Sequence, residues 1–156
     1  MTEVVMPSDT NSLGTIFGGK VMAWIDIAAA TAAIRHTRRT VVTASIDSLH
    51  FLSPIRTGYI VNLKASVNYT GTTSMEVGVR VESENPITGE RYHTASAYLT
   101  FVALDDHGKP ATVPPLLPET EEEKIRFRQG AKRRETRLQL AKEIKLLEEQ
   151  QKLEKR

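Results

Sequence analysis

The sequence predicts an α+β fold: a curved antiparallel sheet wrapped around one central helix, followed by a separate charged helix. Three observations carry this. Residues 21–34 (VMAWIDIAAATAAI) form one apolar segment of helical length with a single charge. Several β-branched or alternating segments follow, joined by turns short enough to make antiparallel neighbours. A sheet cannot leave its apolar face wet, and the chain offers one apolar helix to cover it.

Each element has its own signal. The opening TEVVM reads as a short strand. PSDTNSLGTIFGG follows, rich in turn formers and ending in two glycines. The helix then runs to residues 35–39, where arginines suit a helix C-terminus. TVVTASIDSLHFL is β-branched and closed by SPIRTG. In YIVNLKASVNYT, Val61, Leu63, Ala65, Val67 and Tyr69 alternate with Asn62, Lys64, Ser66 and Asn68, a period of two with one wet face. MEVGVRVES alternates the same way, setting Met75, Val77, Val79 and Val81 against Glu76, Gly78, Arg80 and Glu82. RYHTASAYLTFVAL is a long last strand with Ala95, Ala97, Leu99 and Phe101 on one face. After PPLLPET the composition changes. Residues 119–156 hold 21 of the chain's 40 Asp, Glu, Lys and Arg, with a narrow stripe of Leu140, Ile144 and Leu147 at helical spacing. The domains expected are 1–118, carrying sheet and helix, and 119–156, a charged helical extension starting near Thr120.

Composition narrows the function. A chain of 156 residues, 40% hydrophobic and 26% charged, is an ordinary soluble domain with room for a core. The absence of cysteine removes disulfides, thiol nucleophiles and thiolate metal sites. The start has neither the basic residues nor the apolar run of a signal peptide, and no apolar run reaches membrane-span length. A cytoplasmic protein with no membrane partner is expected. Residues 1–118 carry 9 Lys and Arg against 10 Asp and Glu, so the net charge of +2 belongs to the tail. The tail alternates in sign (EEEKIRFRQGAKRRETR), the pattern of a solvated helix, and no nucleic-acid partner is expected.

Candidate chemistry starts with Asp26. Its helical neighbours Met22, Ala23, Ala29 and Ala30 are apolar, so it has no partner on its own helix. Isolated buried carboxylates are costly and are seldom kept without a use or a partner. Gly18 and Gly19 precede it by eight and seven residues, which places them near the same face about 11 Å along the axis. Glycines at a helix start let a ligand approach free N–H groups at the positive end of the dipole, where an oxyanion is favoured; they also make a flexible turn. Asn11, in SDTNSLG, is a turn former whose amide also suits a water or a carbonyl. His36, His50, His93 and His107 show no metal spacing, and GxSxG, GxxxxGK[ST] and GxGxxG are all missing. No metal is expected.

The segments SDTNSLGTIFGGKVMAWIDIAAATAAIRH, VVTASIDSLHFLSPIRTG, GTTSMEVGVRV and TASAYLTFVALD, in that order, resemble the hotdog-fold acyl-CoA thioesterases. They are most similar to bacterial YciA-type and mammalian brain-type cytosolic acyl-CoA hydrolases. The resemblance covers about residues 5–115. It implies the hotdog fold, hydrolysis of fatty acyl-CoA to fatty acid and CoA, and active sites at a homodimer interface, with further assembly as a trimer of dimers. It places the helix carboxylate on Asp26, as general base or nucleophile. The loop asparagine falls on Asn11 and the oxyanion donors on Gly18 and Gly19. Phe17 stands where many relatives have histidine. No cofactor is implied beyond the coenzyme A of substrate and product. For CoA, Arg56, Arg80 and Arg91 are candidates by charge. Gly71, Thr72, Thr73 and Ser74 are candidates by their hydroxyls and backbone, and by a family likeness that puts this turn near CoA. Two other readings remain open: a hydroxyacyl dehydratase on the same fold, and a non-catalytic acyl-CoA sensor.

Overall fold

The structure, a computed structural model, describes residues 1–154. The chain divides into two units, Met1–Leu116 and Leu117–Arg156. The last two residues of the charged extension lie outside the described residues.

The first unit contains β1 (Thr2–Val4), a 3₁₀ turn (Pro7–Asp9), α1 (Gly18–Thr37), β2 (Thr40–Phe51), β3 (Ile60–Thr70), β4 (Ser74–Glu84) and β5 (Arg91–Leu104). The strands form one antiparallel sheet in the order β1-β3-β4-β5-β2. The expected hotdog arrangement, a sheet packed on a central helix, is what the chain forms. Alternation places Val77, Val79 and Val81 of β4, with Ala95, Ala97, Leu99 and Phe101 of β5, on the core face, each at most 2% exposed. Against them α1 buries Val21, Trp24, Ile25, Ala28, Ala29 and Ala33, a helical stripe.

Three features differ from a simple reading of the pattern. An apolar helix is expected to be buried all round, yet Met22, Ile27 and Ile34 are 41%, 55% and 46% exposed. Five strands cover only one side of α1. Next, β2 is an edge strand whose Val42 and Ile46 are exposed, so one chain leaves both an apolar helix face and a long strand edge in water. Finally, the register of β3 and β4 shifts between Val67 and Tyr69, and Asn68, expected on the wet face, is buried with its amide on Glu76, also buried.

The register also sorts the loops. Phe51 pairs with Ala95, whereas Thr40 pairs with Leu104 and Ser74 with Val102. The start of α1 and the β2–β3 loop therefore stand at one end of the sheet, through the contact of Ile16 with Ile55. The end of α1 and residues 71–74 stand at the other. Among the described residues no helix is long and apolar enough to cross a membrane.

The second unit is α2 (Glu121–Glu154). It begins where PET predicts: the Glu123 N–H donates to Thr120 Oγ1 (3.2 Å) and the Thr120 N–H to Glu123 Oε2 (3.0 Å), a reciprocal cap.

Candidate active site

Asp26 sits in the middle of α1, half-buried. Its partner comes from the edge strand: the Thr43 hydroxyl donates to Asp26 Oδ1 at 2.7 Å. The two residues lie beside the exposed faces of α1 and β2, so the carboxylate borders the surface that one chain leaves uncovered. Sequence reading missed Thr43. In the strand TVVTASID it is indistinguishable from its neighbour Thr40, and only the pairing of β2 beside α1 singles it out.

Gly18 and Gly19 are the first two residues of α1. Phe17 occupies the N-cap position and supplies no side-chain bond, and the first turn holds no acidic residue. The N–H groups of Gly18 and Gly19 thus have no intrahelical acceptor, the ordinary condition of a helix start. Two aromatic rings flank them. A Cβ on Gly19 would collide with the Phe17 ring, and one on Gly18 would meet Phe51 at 3.6 Å.

Asn11 lies in the exposed loop before the helix, where its side chain organises the turn. Oδ1 accepts the N–H of Leu13 (2.9 Å), the N–H of Thr15 (3.3 Å) and the hydroxyl of Thr15 (3.2 Å). Gly14 closes the turn at φ 72°, a conformation glycine adopts without strain. The bonded atom in all three contacts is the acceptor, Oδ1. Asp9 ties this loop to the helix. Its Oδ1 lies 3.1 Å from Lys20 Nζ, its Oδ2 accepts the Met6 N–H at 3.0 Å, and its carbonyl accepts the Phe17 N–H at 2.8 Å. The Met6 N–H first, and then Lys20, hold the Asp9 carboxyl below the usual aspartate value.

Asn11 and Asp26 are not brought together in one chain. The Asn11 loop is fixed to the first turn of α1, and Asp26 follows Gly18 by eight residues, about 12 Å of helix rise. Arg56 is exposed in the β2–β3 loop, bridged to Thr15, at the same end as Gly18. A cleft of about 340 Å³ opens there, lined by Thr15, Gly18, Phe51, Ser53 and Ile55 among others. Gly71, Thr72, Thr73 and Ser74 stand at the opposite end of the sheet. The Thr73 carbonyl accepts the Ala103 N–H and the Thr72 carbonyl the Val113 N–H. Arg80 and Arg91 are exposed and paired through Nε with Glu82 (2.8 Å) and Glu84 (2.9 Å). Lys64 first, then Arg80, pull the Glu82 carboxyl down to about 2. The His36 ring meets the Pro114 carbonyl near the end of α1, and His93 meets Ser96. No cluster of metal-ligating side chains occurs among the described residues.

The Thioesterase superfamily model matches residues 13–90. An uncharacterized acyl-CoA thioester hydrolase, YkhA of Bacillus subtilis, is 53% identical over 122 residues, covering 78% of this chain and 71% of that protein. The cytosolic acyl coenzyme A thioester hydrolase of Rattus norvegicus is 39% identical over 132 residues, or 83% of this chain; the chain spans only 35% of that longer protein. An apo-hexameric acyl-CoA thioesterase superposes with a TM-score of 0.87 at 51% identity, covering 90% of each chain. The acyl-CoA hydrolase of Staphylococcus aureus, solved with butyryl coenzyme A and coenzyme A, gives 0.87 at 44% identity, covering 96% of this chain and 91% of that one. Further structures of that hydrolase carry single alanine substitutions of an asparagine, an aspartate and a threonine.

Proposed function

The chain belongs to the thioesterase superfamily, and from that premise we propose that it hydrolyses acyl-CoA thioesters to a fatty acid and coenzyme A. The observation that carries the reading is the carboxylate. Asp26 is the only charged side chain between Lys20 and Arg35 on α1, and it is held by a hydroxyl on the neighbouring edge strand. The three residues substituted in the Staphylococcus aureus hydrolase are spaced along that chain by 15 and 17 residues, the spacing of Asn11, Asp26 and Thr43 here.

The chemistry needs few parts. Asp26 takes a proton from water, whose oxygen bonds to the thioester carbon; the C–S bond breaks and the CoA sulfur leaves as thiolate, which is then protonated. In the other route Asp26 itself attacks the carbonyl, the C–S bond breaks to expel the CoA thiolate, and water then hydrolyses the resulting mixed anhydride to release the fatty acid and free Asp26. In either route negative charge develops on the carbonyl oxygen, and the N–H of Gly18 or Gly19 at the helix start stabilises it. Asn11 contributes its Nδ2 donors, since Oδ1 is engaged in the turn. The route needs no metal, because thiolate is already a good leaving group.

The working unit is an oligomer with a homodimer as its minimum, assembled further as a trimer of dimers. Three features support this: the exposed apolar face of α1, the open edge of β2, and the separation of Asn11 from Asp26 in one chain. The site would then combine Asp26 of one copy with Asn11 of the other. Arg56 stands at the helix-start end for a CoA phosphate. The part played by Gly71, Thr72, Thr73 and Ser74, and by Arg80 and Arg91, depends on a second copy. A cytoplasmic location accords with the cytosolic relatives.

The test is a panel of acyl-CoA substrates of increasing chain length, with released thiol followed colorimetrically. Turnover unaffected by a chelator is expected; no thiol release from any member would end the reading.

A further inference from the structure

The far end of α1 carries three exposed arginines, Arg35, Arg38 and Arg39. Cations suit a helix C-terminus, so their charge alone explains little. Among the described residues, however, none of the three is joined to a carboxylate. Arg80 and Arg91, two of the cations expected to meet CoA, are by contrast held by Glu82 and Glu84. The Asp105 carboxylate, just past β5, closes its own turn, where Oδ1 accepts the His107 and Lys109 N–H groups.

Arg38 adds a second observation. Among the described residues it is the one non-glycine position with positive φ, at φ 54° and ψ 31°. Glycine or asparagine is usual where a helix closes this way, because a Cβ is strained there. The main-chain bond from Arg38 to the Ile34 carbonyl would form equally well from a glycine. The strain therefore comes with the side chain, and such residues concentrate where the side chain is used.

The surroundings supply a third. The Val113 N–H donates to the Thr72 carbonyl, and the carbonyl of the next residue, Pro114, meets the His36 ring at 2.7 Å. Two consecutive residues thus bridge the 71–74 turn to the end of α1. That turn brings the hydroxyls of Thr72, Thr73 and Ser74. The reach also fits. Arg38 follows Asp26 by twelve residues, about 18 Å of helix rise. Between its sulfur and its pyrophosphate, CoA has about thirteen bonds, about 16 Å when extended. A thioester carbon at Asp26 can therefore lay the phosphates at the end of the same helix. CoA carries a pyrophosphate and a 3′-phosphate, more anionic oxygens than Arg56 alone can meet.

We propose that Arg38 and Arg39, on the chain that supplies Asp26, bind phosphate groups of CoA beside the 71–74 turn, with Arg35 adding to the positive field. This inference rests on the hydrolase reading above and names the subsite for the nucleotide end of its substrate.

The experiment compares wild type, Arg38→Gly and Arg38→Gly/Arg39→Gln as full chains. kcat and KM are measured on one acyl-CoA and on the matching S-acyl-pantetheine, which keeps thioester and arm but has no phosphate. Arg38→Gly is expected to raise KM for acyl-CoA by about five- to tenfold, and the double variant further, with little change in kcat. KM for acyl-pantetheine should not move. The thermal midpoint of Arg38→Gly without ligand should stay level or rise, since glycine takes that conformation freely. Added salt should raise KM for acyl-CoA more in wild type than in the double variant.

Equal rises in KM on both substrates would assign the arginines to the shape of the helix end and overturn the proposal. An unchanged KM for acyl-CoA in the double variant would overturn it as well. Calorimetric titration with CoA reads the subsite without turnover, and the double variant should bind several-fold more weakly than wild type. A wild type that binds CoA but releases no thiol ends the hydrolase reading while leaving this titration to decide the subsite. An active wild type whose double variant binds CoA equally tightly removes this inference alone.

Discussion

The two helices begin in opposite ways. α2 opens with a reciprocal cap between Thr120 and Glu123, and three glutamates occupy its first turn. Each of these complements the helix dipole or an unpaired N–H. α1 opens with Phe17, two glycines and Lys20, so its first turn has no side-chain cap and carries a cation where an anion is favoured. Its other end is properly closed: Arg38 takes the left-handed conformation at φ 54° and donates to Ile34 at 2.7 Å, and Thr37 caps back onto Ala33. The defect is confined to the end that faces the cleft. A helix start optimised for stability uses its N–H groups internally, while one meant for a ligand keeps them open.

The strongest way to test that contrast is to remove what the open end would serve. Asp26→Asn keeps size and leaves Thr43 a side-chain oxygen to bond, so the fold should persist. Hydrolysis should fall by about 10²-fold or more if the carboxylate is base or nucleophile. Near-normal turnover of a folded Asp26→Asn protein would refute the assignment. Mixing this variant with Asn11→Ala, after verified subunit exchange, should restore activity through one intact composite site per dimer. No recovery would place both residues of a site in one chain.

A smaller loss is expected at Asn11, and its two functions can be separated there. Asn11→Asp preserves an acceptor for Leu13 and Thr15 but has no amide donor; Asn11→Ala loses both. Comparable falls of about tenfold or more in the two variants would identify the donor as the functional atom. A near wild-type Asn11→Asp would reduce Asn11 to a turn anchor.

Phe17→Ser makes the two helix starts alike. A serine at the cap position accepts from the second or third N–H of the helix, here Gly19 or Lys20, and stabilises by about 0.5–2 kcal/mol relative to an uncapped start. The thermal midpoint should rise slightly while turnover falls by about tenfold, because a cap competes with the substrate oxygen. Unchanged turnover with a raised midpoint would show that the N–H taken by the cap is not one the substrate oxygen uses.

Acid offers a milder perturbation. Glu82 has its carboxyl lowered from 4.5 to about 2, chiefly by Lys64 and then Arg80. A lowered folded-state value contributes stability above the unfolded value, and that contribution is lost as pH falls from about 4.5 towards 2. Lys64 and Arg80 are more than half exposed, so salt screens much of it. Glu82→Gln should flatten the acid limb of a midpoint-versus-pH curve a little and leave turnover at neutral pH unchanged. Asp9 has the same sign, so below the ordinary aspartate value its hold on Lys20 and on the Asn11 loop should weaken.

Much of this architecture was legible in the sequence because it follows from period. The alternation in residues 60–70, 74–84 and 91–104 set three strands and their core faces, and the apolar run set α1. The family's motifs then pointed to Asp26, Asn11, Gly18 and Gly19. What escaped depends on register and pairing across long separations. Thr43 acquires its meaning only from the approach of β2 to α1. The burial of Asn68 depends on a bulge that leaves no mark in the pattern. Residues 71–74 and Gly18 belong to opposite ends of the sheet, which composition alone does not separate.

The smallest effect is expected at the well-capped helix, and its smallness is the point. Thr120→Ala removes the acceptor for the Glu123 N–H and the reciprocal geometry of the cap. Loss of such a cap costs about 0.5–2 kcal/mol of local helix stability. Circular dichroism should show earlier melting of a helical component as the start of α2 frays. Thiol release should not change, since the residues proposed for the chemistry all lie before Leu117. Truncation after Pro118 takes the comparison further: a folded, active protein is expected, assembled less completely if the tail aids assembly. If the truncated chain keeps its oligomeric size but has lost activity, α2 is part of the catalytic machinery. The contrast between a helix start built for stability and one built for a ligand would then fail.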